Sequence, residues 1–410
     1  MKPMGPIPPW FESEDDMLLI AGCGAASLVD DAGDTPLFVY DMGIVEAQVR
    51  AFREAMPEAV DLHYAIKANP YAPLLVRMVG QVEGFDVASG GELAMALAAG
   101  MDPARISFAG PGKRDDELRA AIDAGITVNL ESEGEGRRAL AVAEMLGKRP
   151  RLAVRVNPDF HLKGSGMRMG GGAKAFGVDA DRAAALARAM IDAGADWRGW
   201  HIFAGSQNLD AQAIIETQGA TLDLAARLSD AVGEVPPLVN LGGGFGIPYF
   251  PADERLDIRP IGAALGQALG APADILRGSK FAIELGRWLV GEAGVYLTRV
   301  IDVKISQGET FVVVDGGLHH QLAASGNFGT VVRRNYPLAV ANRFGIAPAD
   351  DPVTVVGCLC TPIDKLGDKV ALPPVQEGDL VAIFLAGAYG ASASPTAFLG
   401  HPSPRELLLG

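Results

Sequence analysis

Between residues 61 and 290 the sequence alternates eight strand-like runs with helical patterns, and this alternation limits the possible folds more than any other feature. The amphipathic segments between the runs include DDELRAAIDAG and DADRAAALARAMIDAG. The eight runs are DLHYAIKA, GFDVAS, ISFAG, TVNLES, RLAVRVNP, GWHIFAGS, PLVNLGGG and FAIELGRWLV. Eight strands separated by helices in about 230 residues is what a (β/α)8 barrel requires. A doubly wound open sheet is the alternative, and periodicity alone does not exclude it.

The pattern changes after Leu289. The segment GVYLTRVIDVKISQGETFVVVDGG predicts a hairpin with Gln307 and Gly308 at its turn, and PVTVVGCLC and DLVAIFLAG predict further strands. We therefore expect a barrel over residues 36–290 and a mostly β domain over residues 291–410. Residues 1–35 are strand-like and rich in turns, and we expect their strands to join the β domain.

Composition excludes several classes of partner. In 410 residues, 35 Lys and Arg stand against 50 Asp and Glu, giving a net charge of −15 without any basic block, which argues against nucleic acid. No apolar run approaches the roughly 18 to 20 residues that span a bilayer, so no membrane association is predicted. The first ten residues, MKPMGPIPPW, lack the apolar centre of a secretory signal. The sequence predicts a soluble protein of a reducing compartment, the cytoplasm.

The three cysteines are too few for a disulfide framework. Cys358 and Cys360 alone offer too few ligands for a structural zinc site, and no metal is predicted.

Unusual polar residues recur where the predicted barrel strands end. A lone lysine beside a strand is usually a surface residue, but in a barrel all these strand ends share the rim where active sites are built. The coincidence favours a chemical role for Lys67. A low-complexity stretch, residues 164–177, is placed where a barrel has a mobile active-site loop. The strand-end residues are Lys67, Asp86, Ser89, Arg155, Asn157, His201 to Ser206, Gly242 to Gly244, Glu284 and Arg287.

The stretch NLGGGFGIPYF leaves backbone N–H groups unobstructed at the end of the seventh run. Such a turn can bind a phosphate, and Ser206 in AGSQN offers one more donor. The stretch matches neither the P-loop pattern nor the dinucleotide fingerprint, and an ordinary turn is the alternative.

A phosphate-binding turn and a lysine on one rim together suggest pyridoxal 5′-phosphate, bound to Lys67 as a Schiff base. Glu284 is the candidate partner of the pyridine nitrogen, because a carboxylate keeps that nitrogen protonated. An arginine at that position would favour racemisation. An ion pair between Glu284 and Arg287 is the alternative interpretation.

Six segments resemble, in order, the signatures of the fold-III pyridoxal-phosphate decarboxylases, which include the ornithine, arginine and diaminopimelate decarboxylases. The resemblance covers about residues 35 to 395 and implies an alanine racemase-like (β/α)8 barrel with a β domain. VVDGGLHHQLAASGNFG and HIFAGSQN resemble an offshoot found with exosortase and exopolysaccharide gene systems. The six segments are HYAIKAN, GFDVASGGEL, GGGFGIPY, ELGRWLVGEAG, CTPID and GAYGAS.

The resemblance implies roles for individual residues. Lys67 would bind the cofactor, Glu284 would hold the pyridinium, and Cys360 would return a proton after CO2 leaves. In the family this cysteine reaches into the neighbouring subunit's site, which implies a two-fold homodimer with shared active sites. Without the family, Cys360 would be taken for a small buried hydrophobe. The remaining cofactor-binding candidates are Asp86, Arg155, His201, Phe203, Ser206, Gly243, Gly244, Gly286, Arg287 and Tyr389.

The sequence departs from the family at two places. The pattern H-x-G-S puts a stacking histidine where this chain has Phe203, and His201 lies two residues earlier on the same strand face. Either ring is a candidate to lie over the cofactor. After Cys360 the familiar enzymes have an acid for the substrate's distal ammonium, whereas this chain has Thr361, with Asp364 three residues further.

These departures lead to an expectation about the substrate. His319 and His320 lie with two arginines in the segment that in the family faces the substrate's tail, and they suit an anionic or amide-bearing tail; solvation of a surface loop is their alternative role. We expect decarboxylation of an acidic amino acid, or of one tethered to a carrier protein, with diaminopimelate as the second choice. The sequence also leaves open an amino-acid racemase and a non-catalytic cofactor-binding homologue. The substrate-binding candidates are Arg287, Arg333, Arg334, Tyr336, Thr361, Asp364 and Tyr389.

Overall fold

The chain folds into two compact units in the computed structural model. The first, here the β unit, comprises Met1–Gln48, Pro248–Glu254 and Arg287–Gly410, and the second, the barrel unit, comprises Val49–Ile247 and Arg255–Gly286. The domain boundaries expected at residues 35 and 290 stay a prediction. The structure describes residues 1–160, 164, 167, 168, 170–326 and 334–410.

The chain begins with a small antiparallel sheet. Tight turns at Asp15-Asp16 and Ala21-Gly22, all four with positive φ, fold its three strands back on one another. The strands of residues 1–35 therefore form a sheet of their own, and it is β4, just after them, that pairs with the larger sheet of the β unit. The elements are β1 (Glu12–Glu14), β2 (Met17–Ile20), β3 (Cys23–Gly24), α1 (Ala25–Ala32), β4 (Leu37–Asp41) and α2 (Met42–Ala55).

The barrel unit contains eleven strands in its described residues. They are β5 (Val60–Ala65), β6 (Gly84–Val87), β7 (Ile106–Phe108), β8 (Thr127–Leu130), β9 (Arg151–Asn157), β10 (Met167–Arg168), β11 (Val178–Asp179), β12 (Asp196–Ile202), β13 (Gly205–Ser206), β14 (Leu238–Asn240) and β15 (Lys280–Leu285). Eight of them pair in parallel in the order β5-β6-β7-β8-β9-β12-β14-β15, and β15 pairs back with β5. The closed barrel is confirmed, and the open sheet is wrong.

Helices connect the barrel strands, and their ends follow from local sequence. Ser89 and Ser132 accept hydrogen bonds from the backbone N–H groups of Glu92 and Glu135, which caps α4 and α6. Gly125 ends α5 in the left-handed conformation that a glycine adopts without strain. The helices are α3 (Ala72–Met78), α4 (Gly90–Ala98), α5 (Asp115–Ala124), α6 (Glu133–Leu146), α7 (Ala180–Asp192), α8 (Ala211–Val232) and α9 (Arg259–Gly270).

The C-terminal part of the β unit is mostly strand, as expected. Gln307 and Gly308, with φ of 50° and 82°, form the predicted hairpin turn between β16 and β17. Strand β16 also pairs with β21 and β4, which makes it the centre of an eight-stranded sheet. The elements are α10 (Arg287–Val290), β16 (Gly294–Ser306), β17 (Glu309–Val314), β18 (Leu338–Val340), β19 (Val353–Val356), β20 (Lys365–Val370), β21 (Leu380–Ile383) and β22 (Arg405–Leu409). Among the helices of the described residues, none is long and apolar enough to cross a membrane.

Candidate active site

Lys67 lies in a single 3₁₀ turn, Ile66–Ala68, directly after β5. Its side chain is exposed, while Ile66 and Ala68 on either side are buried and fix the turn. The Lys67 amine lies 5.8 Å from the centre of the Phe203 ring, at the end of β12. Gly286 adjoins the same turn, because a Cβ there would lie 2.9 Å from the Cβ of Ala68. The barrel thus brings a lysine amine and an aromatic ring together at its C-terminal rim.

Glu284 and His201 form a buried pair inside the barrel. His201 is level with Asn240 in β14, and Asn240 is level with Ala282 in β15, so Glu284 follows on the same face of β15. The Nε2–H of His201 donates to Oε2 of Glu284 over 3.0 Å. The partner of Glu284 is therefore His201, whereas the guanidinium of Arg287 donates to the Tyr249 hydroxyl.

The charge state of Glu284 is set by its neighbours. Burial raises the pKa of its carboxyl, but the hydrogen bond and charge of His201 outweigh burial, with help from Lys67 and Arg155. The net result lowers the pKa of Glu284 to about 2. Glu284 is thus an ionised carboxylate in the interior of the barrel, the state needed to hold a proton on a facing base.

Asp86 lies within β6, one residue before its end, and takes part in an internal network. Its Oδ1 accepts a hydrogen bond from the Ser107 hydroxyl, and its Oδ2 lies 3.5 Å from Nδ1 of His63. Burial lowers the pKa of His63, but Asp86 outweighs burial, so that the net shift is upward. In this structure the carboxylate of Asp86 therefore interacts with the His63 ring and the Ser107 hydroxyl.

Arg155 in β9 is paired with Glu131, whose Oε1 accepts its N–H at 2.8 Å. Glu131 also accepts the backbone N–H groups of Gly110 and Gly177, so that this carboxylate joins three rim segments. Burial raises the pKa of Glu131, while Arg155 and Lys113 lower it to below its ordinary value. Arg155 is thus hydrogen-bonded to Glu131, and it lowers the pKa of Glu284 through its positive charge.

The glycine-rich turn after β14 is tied to the end of β12. The backbone of Asn208 bonds to Gly244 and Gly246, and Ser206 lies two residues before Asn208. Gly242 and Gly244 have φ of 68° and 96°. At Gly243 a Cβ would lie 1.8 Å from the carbonyl oxygen of Glu284, so only glycine fits. In such barrels the loops after the seventh and eighth strands frequently bind phosphate.

In the β unit, Arg287 lies between two tyrosines. Its guanidinium carbon is 5.3 Å from the Tyr249 ring centre and 4.7 Å from that of Tyr389. The Nε of Arg287 is buried and has no hydrogen-bond partner among the described residues. Tyr336 packs on Tyr249, with ring centres 5.0 Å apart. Arg287 therefore keeps a donor for an anion while its position is fixed by aromatic rings.

The segment after β19 carries Cys360, Thr361 and Asp364. Cys360 is exposed and Thr361 is half-buried. Asp364 is 2% exposed, and its Oδ1 and Oδ2 accept the backbone N–H groups of Leu318 at 2.7 Å and Leu359 at 2.9 Å. The carboxylate of Asp364 therefore holds two loops together, and the expectation that it substitutes for the acid missing at Thr361 stays a prediction.

Three further expectations concern the substrate's tail. His319 and His320 are 0% and 1% exposed, so neither solvates a surface loop or is open to a tail in this chain. Arg334 is exposed, with its guanidinium 4.8 Å from the centre of the Phe250 ring.

Arg333 lies outside the described residues, as do residues 165, 166 and 169 of the loop at 164–177.

Reasoning from the sequence misses one residue of the site, Tyr249, and one partnership, that of His201 with Glu284. The partnership of His201 with Glu284 crosses β14, and it follows only when the barrel's strand order is known. Tyr249 is visible in the GIPYF motif, but its contact with Arg287 depends on the folding of the β unit. A periodic pattern in the sequence indicates which face of a strand is buried, but it does not indicate which strands lie beside that strand in the sheet.

Comparison with known proteins gives a consistent result. A family model described as the pyridoxal binding domain of pyridoxal-dependent decarboxylases matches residues 42–291. The L-glutamyl-(BtrI acyl-carrier protein) decarboxylase of Niallia circulans is 39% identical over 92% of this chain and 89% of its own length. The diaminopimelate decarboxylase of Methanothermobacter thermautotrophicus is 34% identical over 96% of this chain and 90% of its own length.

Solved structures give the same picture of the fold. The diaminopimelate decarboxylase of M. jannaschii in complex with L-lysine superposes with a TM-score of 0.86. It is 26% identical in sequence, and the match covers 97% of this chain and 92% of the other.

Proposed function

This chain belongs to the pyridoxal-dependent decarboxylases, and on that premise we propose that it decarboxylates an acidic amino acid carried as a thioester on a carrier protein. Amino-acid decarboxylation is the reaction of its family. The nature of the amino acid and of its carrier is the proposed part.

Features of the barrel unit support pyridoxal 5′-phosphate as the bound cofactor. The exposed Lys67 amine, the ionised Glu284 carboxylate and the backbone N–H groups of the glycine turn at Gly242 to Gly244 are the three group types that its carbonyl, pyridine nitrogen and phosphate require. When bound, this cofactor supplies a sink for the electron pair that departing CO2 leaves at Cα.

The chain's own residues then have distinct tasks. Lys67 would anchor the cofactor through its amine. Glu284, held by His201, would keep a proton on the pyridine nitrogen. Arg287 offers its Nε–H to an anion, and Ser206 with the turn at Gly244 offers donors to a phosphate. Cys360 would supply the proton that replaces CO2 at Cα.

The state of Thr361 and Asp364 carries the proposal on the substrate. A diamino acid brings a distal ammonium, and burying that charge without a partner costs several kcal/mol. Thr361 has no charge to offer, and both carboxylate oxygens of Asp364 already accept backbone N–H groups. The segment after β19 therefore suits a substrate whose far end is uncharged.

A carrier thioester meets this requirement. Loss of CO2 at Cα requires a free α-carboxylate and a free α-amine, so the carrier must be attached through the side-chain carboxyl. Attachment converts that carboxyl into a neutral thioester. The similarity to the L-glutamyl-(BtrI acyl-carrier protein) decarboxylase supports the same chemistry here.

The test measures CO2 release from five substrates: glutamyl-carrier thioester, free glutamate, diaminopimelate, ornithine and lysine. We expect kcat/KM for the thioester to exceed that for ornithine and lysine by at least about 100-fold, the equivalent of one unpaired buried charge. Ornithine turnover near the roughly 10⁴ M⁻¹s⁻¹ of ordinary enzymes would refute the substrate proposal but leave the decarboxylase intact.

A matched pair of variants isolates Thr361. Thr361→Glu restores an acid and should raise the kcat/KM for ornithine, while the neutral Thr361→Gln should not. Equal ornithine turnover by the two variants would show that this position does not face the substrate's far end.

Diaminopimelate is the second candidate. Its far end carries a carboxylate beside the ammonium, and the relative from Methanothermobacter thermautotrophicus supports it. A kcat/KM for diaminopimelate above that for the thioester would select this candidate.

We also propose a homodimer in which Cys360 serves the partner's site. If inactive Lys67→Ala and Cys360→Ala chains are mixed, each heterodimer has one site with both residues. Random exchange within a two-fold dimer should restore about a quarter of wild-type activity. No recovery, with exchange verified by mass, would place Cys360 in its own subunit's site.

A further inference from the structure

His319, Cys358 and His401 converge in the β unit although they lie far apart in the sequence. One potential ligand atom from each residue lies within 4.8 Å of the others, and Sγ of Cys358 is 3.9 Å from both ring nitrogens of His401. The rings of His319 and His401 have centres 5.0 Å apart. From this geometry we propose that the three side chains form a zinc site.

His319 provides the strongest single observation. It is 0% exposed, and neither of its ring nitrogens has a hydrogen-bond partner among the described residues. A buried polar atom without a partner destabilises a fold, so such atoms call for a specific reason. Metal ligation uses one of these nitrogens directly.

The segments that carry the three side chains are held by neighbouring residues. Sγ of Cys358 donates to the carbonyl oxygen of Asp315 at 3.3 Å, a bond that metal ligation would replace. Asp364 accepts the N–H groups of Leu318 and Leu359, which precede His319 and follow Cys358. The carboxylate therefore fixes these two segments against each other at the point where two ligands project.

His320 performs the same task for the third segment. Its Nε2–H donates to the carbonyl oxygen of Pro402 over 2.9 Å, and its Nδ1 lies 3.1 Å from the Tyr296 hydroxyl. Pro402 follows His401, so this bond holds His401 beside His319. A ligand set whose backbone is fixed by outer residues is typical of metal sites.

The donor types select the metal. One thiolate and two imidazoles suit Zn²⁺, which binds sulfur at about 2.3 Å and nitrogen at about 2.0 Å in tetrahedral geometry. Ligand atoms within 4.8 Å of one another are close enough to contract around such an ion by side-chain rotation. Three protein ligands leave the fourth position to water.

The test uses the purified holoenzyme after treatment with a chelator and equilibrium dialysis against Zn²⁺. We expect one zinc per chain, counted by mass spectrometry, with one sulfur and two histidine nitrogens in the zinc X-ray absorption spectrum. Zinc should also raise the melting temperature, because only the folded chain assembles the ligands.

Variants separate this site from adventitious binding. Cys358→Ser and His401→Ala should each weaken zinc binding by at least about 100-fold. Loss of a residue that only holds a ligand in place costs up to about 100-fold in metal affinity, so loss of a ligand itself should cost at least as much. The matched control Cys23→Ser removes an exposed cysteine of β3 and should bind zinc as the wild type does. Circular dichroism without zinc verifies that each variant is folded. If Cys358→Ser does not fold, His401→Ala, whose substitution lies near the C-terminus, tests the same site.

The outcomes decide the proposal. Zinc that is absent from the wild type, or retained by both Cys358→Ser and His401→Ala, or lost in Cys23→Ser, would overturn it. A sulfur-free absorption spectrum would exclude Cys358 as a ligand.

Discussion

The barrel unit and the β unit each bury a carboxylate beside residues proposed for function, Glu284 in the first and Asp364 in the second. Oε2 of Glu284 accepts a hydrogen bond from a side chain, that of His201. Asp364 has a backbone N–H on each oxygen. Both are shielded from water, at 7% and 2% exposure, so burial does not distinguish them.

The two carboxylates differ in the hydrogen-bond acceptor capacity that their partners leave available. A carboxylate bonded to a side chain on one oxygen retains acceptor capacity for a ligand, and that side chain keeps it charged. A carboxylate bonded to a backbone N–H on each oxygen is used to fix loops. A buried carboxylate is therefore suited to chemistry in one unit and to holding loops in the other.

The largest effect is expected for Lys67→Ala, which removes the amine at the barrel rim. We expect complete loss of decarboxylation, because without the amine the cofactor has no covalent anchor. The exposed side chain supports little packing, so the melting temperature without cofactor should stay unchanged. Reduction with borohydride followed by peptide mapping checks the result, and cofactor trapped at another lysine would refute the assignment.

The next effect is expected for Glu284→Gln. The amide oxygen can still accept the His201 N–H, but the charge that holds the pyridine proton is gone. The decarboxylation rate should fall about 10²–10³-fold, as for removal of one preorganised electrostatic group. Cofactor affinity, measured by fluorescence quenching, should fall far less. Unchanged turnover would contradict the proposed role.

The pH dependence of stability provides a control on Glu284. Its folded pKa is lowered to about 2 from the ordinary value of 4.5, so its ionisation stabilises the fold above about pH 4.5. That contribution disappears as the pH falls toward 2. In Glu284→Gln this part of the acid unfolding curve should be absent, with little change at pH 7 and above apart from the lost pair with His201.

Asp364→Asn should have the opposite profile. An asparagine offers one acceptor and directs its NH2 group at the other backbone N–H, so one buried donor loses its partner. We expect the free energy of unfolding in urea to fall by about 1–3 kcal/mol. The ratio of kcat/KM values between substrates should stay the same, measured on folded protein. A changed ratio would return Asp364 to the substrate site.

Local sequence predicted much of this molecule because its determinants are local. The eight barrel strands follow from apolar runs and turns, and the Gln307-Gly308 turn follows from two residues that accept positive φ. The exposed place of Lys67 at the rim follows from the end of β5. Each of these requires only a few neighbouring residues.

What the sequence left open depends on contacts between distant segments. His201 meets Glu284 across β14, Asp364 reaches Leu318, and Cys358 meets His401. Such contacts are fixed by strand order and loop packing, which periodicity does not encode. For this reason the sequence indicated neither the approach of Cys358 to His401 nor the bonds of Asp364 to Leu318 and Leu359.

The smallest effect is expected at Phe203, which decides between two rings that the sequence left open. His201 is engaged with Glu284, whereas the Lys67 amine lies over the Phe203 ring, so Phe203 is the ring beside the proposed anchor of the cofactor. Phe203→Ala removes an aromatic face worth about 0.5–1.5 kcal/mol, and cofactor affinity should fall about 2- to 10-fold. Phe203→His, which restores the family's residue, is the matched control and should retain most of the affinity. If Phe203→Ala binds the cofactor as tightly as the wild type, the stacking ring is not Phe203, and the bond between His201 and Glu284 must open when the cofactor enters.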